Sequence, residues 1–161
     1  MLYLVDGYNV TKGDPATAGL PLEAQRNELV SRLCASAGTL LGPGQVVVVF
    51  DALGGTGGGD ERAGAVRVTY ALNCKADDEI VALATRHRGA VTVVTDDGGI
   101  ARRTRGDLGA RVKVVPSSVC FAEAVARAVK ARAPQITRDV GLPSDANDIT
   151  EWYKKQLDEG E

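Results

Sequence analysis

Apolar and polar positions along the chain follow two rhythms. Residues 2–5 form a short apolar run that stops at Asp6. Over 22–37, Leu22, Leu29, Val30, Leu33, Cys34 and Ala37 fall on one stripe at helical spacing, which predicts an amphipathic helix. Gly42-Pro43-Gly44 makes a turn, and 45–50 is then a β-branched run that ends at Asp51. An uninterrupted valine run is the pattern of a strand covered on both faces, as in a parallel sheet. The same reading gives strands over 65–71, 90–95 and 111–115. It gives helices over 76–87, 98–105 and 118–131, the last opened by Pro116-Ser117-Ser118. The order β-α-β-β-α-β-α-β-α predicts a three-layer α/β/α domain with a mostly parallel sheet. No internal repeat interrupts it.

Composition narrows the chemistry. The 161 residues carry 19 Lys and Arg against 21 Asp and Glu, and 44% hydrophobic residues leave ample material for one core. We expect one domain over 1–133, followed by an acidic extension over 134–161. In that extension Ile149, Trp152, Tyr153 and Leu157 predict a short amphipathic helix that docks on its own domain, the favoured reading, or on a partner. No apolar run approaches the roughly 20 residues that cross a bilayer, and the first residues lack the basic start of a signal peptide. Three scattered cysteines, Cys34, Cys74 and Cys120, form neither a disulfide framework nor a zinc motif, so a reducing, cytoplasmic setting is expected. The lone histidine, His87, sits between two arginines at a predicted helix end, where a solvated role outweighs a catalytic one. If the chain is an enzyme, carboxylates and metal ions must do the work.

Carboxylates fall where such work would be done. Three predicted strands end on aspartate: Asp6, Asp51 and the pair Asp96-Asp97. In an open parallel sheet, ligands bind beyond the carboxyl ends of the strands. Asp77, one turn ahead of Ile80, Val81 and Ala84, is placed to overhang the same edge, whereas Asp78 and Glu79 are ordinary acids of a helix first turn. Hard oxygen ligands in this number suit Mg²⁺ or Mn²⁺. Ions of this kind activate water and neutralise charge developing on a phosphodiester. Between Arg86 and Lys113 there are seven bases and three acids, a stretch able to hold a polyanion's phosphates; beyond Asp139 the balance turns strongly acidic.

Leu4-Val5-Asp6-Gly7-Tyr8-Asn9-Val10 resembles the opening motif of the YacP-like NYN domain family, RNases with a PIN-like fold. Val48-Val49-Phe50-Asp51-Ala52, Ala76-Asp77-Asp78-Glu79-Ile80 and Val93-Val94-Thr95-Asp96-Asp97 continue the resemblance in family order, over roughly 1–132. The resemblance implies a PIN-like α/β domain whose acidic cluster binds metal and cuts RNA. Carried over, Asp6, Asp77 and Asp96 correspond to the metal-binding acids, and Asn9 to the polar partner of the first. Asp97 would be a fourth acid, though it stands closer to Asp96 than the family's last acids usually do. Asp51 would be an auxiliary ligand.

For RNA, the expected contacts are Tyr8, stacking a base or packing on the fold, and Lys12 and Lys75 on phosphates. Arg102, Arg103 and Arg105 form the expected phosphate track. The glycine-rich 53–59 lacks the ending of a phosphate-cradling loop and is expected to be a flap near the cleft. The leading expectation is a Mg²⁺- or Mn²⁺-dependent endoribonuclease acting on RNA, free or in a ribonucleoprotein, as a monomer or homodimer away from membranes. The rivals are an RNA-binding module that does not cut and a phospho-acceptor receiver built on Asp51, Thr95 and Lys113. Against the receiver, a glycine loop and a strand follow Asp51 where a helix is required.

Overall fold

The computed structural model describes residues 1–52, 60–72 and 74–132. The chain divides into two compact units, Met1–Ala131 and Arg132–Glu161. The glycine segment 53–59 and the tail helix expected on Ile149, Trp152, Tyr153 and Leu157 lie outside the described residues.

Among the described residues, six strands form one sheet: β1 Leu2–Asp6, β2 Gln45–Asp51, β3 Asp60–Ala63, β4 Val66–Ala71, β5 Val91–Val94 and β6 Val112–Val115. Their order is β3-β4-β2-β1-β5-β6, parallel throughout except for the β3 edge. The mostly parallel α/β architecture expected from the valine runs is the one observed. Side chains alternate across the central strands. Tyr3, Val5, Val46, Val48 and Phe50 enter the core with Leu29 and Leu33 of helix α2 (Leu22–Leu40). Leu2, Leu4, Val47 and Val49 enter the opposite core. There they meet Ile80 and Ala84 of α3 (Ala76–Arg86) and Ile100 and Leu108 of α4 (Gly98–Leu108). Burial on both faces explains why β2 reads as continuous valine rather than as an alternation.

Four local features depart from the sequence expectations. A short helix, α1 (Gly7–Gly13), follows β1 directly; seven residues are too few to display a helical period. The polar strand β3 has no apolar signal, and a turn at Gly64 (φ 57°) pairs it antiparallel to β4. Strands, not the helix a receiver requires, therefore follow Asp51. The helix expected over 118–131 is two elements, a 3-10 turn Ser117–Cys120 and α5 (Ala122–Arg132), broken at extended Phe121, which packs against the core. In α2, Leu22 and Cys34 are exposed while Gln25 and Arg32 are buried.

Arg32 is buried because Asp14, which caps α1, is buried beside it and pairs with it. Asp14 also accepts from the N–H groups of Ala16 and Ala122, and Arg32 donates to Cys120 O at 3.0 Å. This clamp fastens the end of α1 to α2 and to the 3-10 turn. The start of α1 is fixed by contact: a Cβ on Gly7 would collide with the ring of Phe50. Only glycine lets the chain leave β1 so close to that buried ring.

Candidate functional site

The chain runs outward from β1 through β2 to β4, then crosses back to lay β5 on the other side of β1. That reversal is a topological switch point, where the carboxyl ends of neighbouring strands diverge and leave a crevice. Asp6 closes β1, Asp51 closes β2, and Asp96-Asp97 follows β5 by one residue, so the acids come from three adjacent strands. An open cleft of about 450 Å³ there is lined by Asp6, Asp51, Asp77, Asp96 and Asp97, with Tyr8, Asn9, Lys12 and Gly13.

Each acid is held by what folds around it. Asp6, only 8% exposed, caps α1 by accepting from the Asn9 N–H at 3.3 Å, and its other oxygen accepts from the Thr95 hydroxyl at 3.1 Å. Asp51 accepts from the Ala76 N–H at 2.7 Å, which pins the start of α3 above β2 and delivers the next residue, Asp77, to the cleft. Asp97 caps α4 through the N–H groups of Gly99 (2.6 Å) and Ile100 (3.0 Å). Asp96 is bound on two sides: its N–H donates to Asn9 Oδ1 at 2.8 Å, and its carboxylate accepts from the Ser117 N–H at 3.2 Å. Partial positive charge at these helix starts offsets some of the crowding.

The remainder appears in the titration of the acids. Burial, and then the charges of Asp77 and Asp51, push Asp6 up to about 6 against the lowering effect of Asn9 and Thr95. Asp77 is also raised, by burial and then by the charges of Asp97, Asp51 and Asp78, with Lys75 opposing. Carboxylates that resist ionising together are a site short of positive charge. The anionic oxygens that line the cleft, all carboxylate, fit a hard divalent cation. Among the described residues, no three His, Cys, Asp or Glu side chains converge closely enough to hold an ion by themselves.

The cationic and aromatic residues are placed unevenly. Tyr8 lines the cleft, but its ring is buried edge-on against Phe50 (centroids 5.0 Å apart), with Lys12 Nζ 5.5 Å from its centroid. It packs on the fold and offers no open face to a base, which corrects the stacking alternative. Lys12 lies in the cleft; Lys75 is exposed at the start of α3. Arg103 is engaged with Asp78 at 2.8 Å, so it is not a free phosphate contact. Arg102 and Arg105 are exposed on α4 and make no ion pair among the described residues. Arg102 folds its guanidinium back to the helix start, 3.3 Å from where a Cβ on Gly98 would sit. His87 lies with Leu2 and Gln45 at the opposite edge of the sheet, away from the acids.

Ser117 was not legible as a site residue, and Thr95 entered the sequence reading only through the receiver alternative. Thr95 links Asp6 to the Asp97 N–H, which donates to its hydroxyl at 3.0 Å, and Ser117 links Asn9 to Asp96. The one signal for Thr95 is its place immediately before the Asp96-Asp97 pair.

The sequence matches the family model of the YacP-like NYN domain over residues 3–157. No curated protein sequence shows significant similarity to it. Among solved structures, it is similar to the crystal structure of Rae1 (YacP) from Bacillus subtilis in its W164L mutant form. That similarity has a TM-score of 0.65 and 22% identity over 99% of both chains. A second Rae1 (YacP) crystal structure from Bacillus subtilis gives a TM-score of 0.60 and 22% identity, over 99% of this chain and 93% of that one. These likenesses support the PIN-like fold.

Proposed function

The chain belongs to the YacP-like NYN domain family, a family of PIN-like nucleases, and from that premise we propose that it is a divalent-metal-dependent endoribonuclease. One observation carries the reading: three adjacent strands and the start of α3 deliver five carboxylates to one cleft, and crowding and burial there push the innermost, Asp6, up to about 6. Asp6, Asp77 and Asp96 would hold the ion, with Asp97 and Asp51 beside them. When bound, Mg²⁺ or Mn²⁺ supplies the positive charge that lowers the pKa of an attacking water and offsets charge on the scissile phosphate.

The chain's own groups do the rest. Asp51 and Asp97 each spend an oxygen on a helix start, which fixes α3 and α4 against the sheet and leaves the second oxygen for the cleft. Asn9 and Lys12 face the substrate as donors, and Lys75, Arg102 and Arg105 bind the RNA backbone outside the cleft.

The test is cleavage of RNA by the purified protein with Mn²⁺ or Mg²⁺ and with EDTA. Asp6→Asn and Asp77→Asn are expected to lower the rate at least about 100-fold at unchanged circular dichroism. Undiminished cleavage in both variants would overturn the assignment.

A second reading, an RNA-binding module that does not cut, is favoured by the lack of three converging ligands among the described residues. Binding that weakens steeply with salt, without products at any metal concentration, would decide for it.

A further inference from the structure

We infer that Ser117 is a positioning residue: it locks the carboxamide of Asn9 so that the amide nitrogen, with its two donors, is presented to the cleft. Asn9 sits at the start of α1, Asp96 just beyond β5, and Ser117 at the head of the 3-10 turn after β6. Asn9 Oδ1 accepts from the Ser117 hydroxyl at 2.5 Å and from the Asp96 N–H at 2.8 Å. A backbone N–H can only donate, so the Asp96 contact fixes which end of the carboxamide is oxygen. With both lone pairs of that oxygen filled, what Asn9 has left for the cleft it lines is Nδ2.

Two N–H donors cannot ligate a cation; they suit an anionic oxygen, such as a non-bridging oxygen of the RNA backbone. The identity of that anion rests on the nuclease reading, whereas the orientation of Asn9 does not. Ser117 is fully buried, and its own N–H holds the Asp96 carboxylate at 3.2 Å, so one residue sets the attitude of two site groups. The far end of the turn is tied to α1 through the Ala122 N–H on Asp14 (3.0 Å) and to α2 through Arg32 on Cys120 O (3.0 Å), which opposes its shifting to follow a rotated amide.

Ser117→Ala removes the hydroxyl and keeps the backbone N–H, so it deletes one contact. We expect kcat on RNA to fall about tenfold with KM little changed, because a misaimed donor costs rate more than binding. Ser117→Thr should restore the rate, Ser118→Ala, at an exposed neighbour, should leave it unchanged, and Asn9→Ala/Ser117→Ala should be no slower than Asn9→Ala alone. A second readout needs no cleavage. The side-chain NH₂ resonances of Asn9, identified by their loss in Asn9→Ala, should be as rigid as the backbone in the wild type and mobile in Ser117→Ala. Equal rigidity in both proteins would overturn the inference. So would a Ser117→Ala variant with wild-type kcat well below its melting temperature. A wild type that never cleaves, with the amide loosened in Ser117→Ala, would uphold the positioning and sink the nuclease reading instead.

Discussion

Asp6 carries its charge at a cost that burial sets and Asp77 and Asp51 increase. Its pKa of about 6 in the fold lies above the ordinary carboxylate value of 3.8. The folded state therefore holds the proton more tightly, and stability is lost as pH rises through about 6, not regained. In EDTA, Asp6→Asn should be more stable than the wild type to urea at neutral pH by about 3 kcal/mol, with the difference shrinking as pH falls and vanishing below the ordinary carboxylate value. Added Mn²⁺ should raise the stability of the wild type and not that of the variant. A variant less stable at both pH values would contradict this account. The placement of Asp6 and Asp77 at the cleft was legible in the chain, as a strand end and a helix first turn. The contacts of Thr95 with Asp6 and of Ser117 with Asn9 were not, because the partners stand 89 and 108 positions apart along the chain.

At the scale of elements, the apolar stripe located α2 but misplaced part of its buried face. A periodicity reading assigns every inward position to a hydrophobe, and here Gln25 and Arg32 take two of them. They are inside because α1 and its connection bring partners there: Gln25 meets the Thr11 hydroxyl at 2.8 Å, and Arg32 meets Asp14. Burial alone would raise Asp14, but the N–H groups of Ala16 and Ala122 and the Arg32 guanidinium outweigh it and hold its carboxyl below the ordinary value. Its contribution to stability is therefore present above the ordinary carboxylate range and lost as pH falls through the lowered value. Arg32→Met should cost about 3 kcal/mol or more at pH 7, since it strands a buried charge, and less in acid as Asp14 protonates. Urea unfolding at the two pH values checks it; a neutral substitution would show that the clamp contributes nothing.

Across the whole molecule, charge is divided: a basic stretch from Arg86 to Lys113 and an acidic segment beyond Asp139 hide under a net charge of −2. Only part of the basic stretch is free to meet phosphate. For single-stranded RNA in EDTA, Arg102→Ala and Arg105→Ala should each reduce the slope of log affinity against log salt by about 0.7. Arg103→Ala should change it less, because Asp78 already engages that guanidinium. Equal effects of all three would mean that the Arg103–Asp78 pair opens on binding.

The sequence alone determined that strands and helices alternate, that the sheet is mostly parallel, and that several strands end on an acid. These are properties of burial period and of local stop signals, which each segment carries within itself. Only the tertiary structure decided that β2, β1 and β5 are neighbours, so that their terminal acids share one cleft. It alone decided that Tyr8 faces a core ring and that Ser117 reaches Asn9. Adjacency of strands and hydrogen bonds between distant residues are settled by how the packed layers meet, and no local run of residues contains that information.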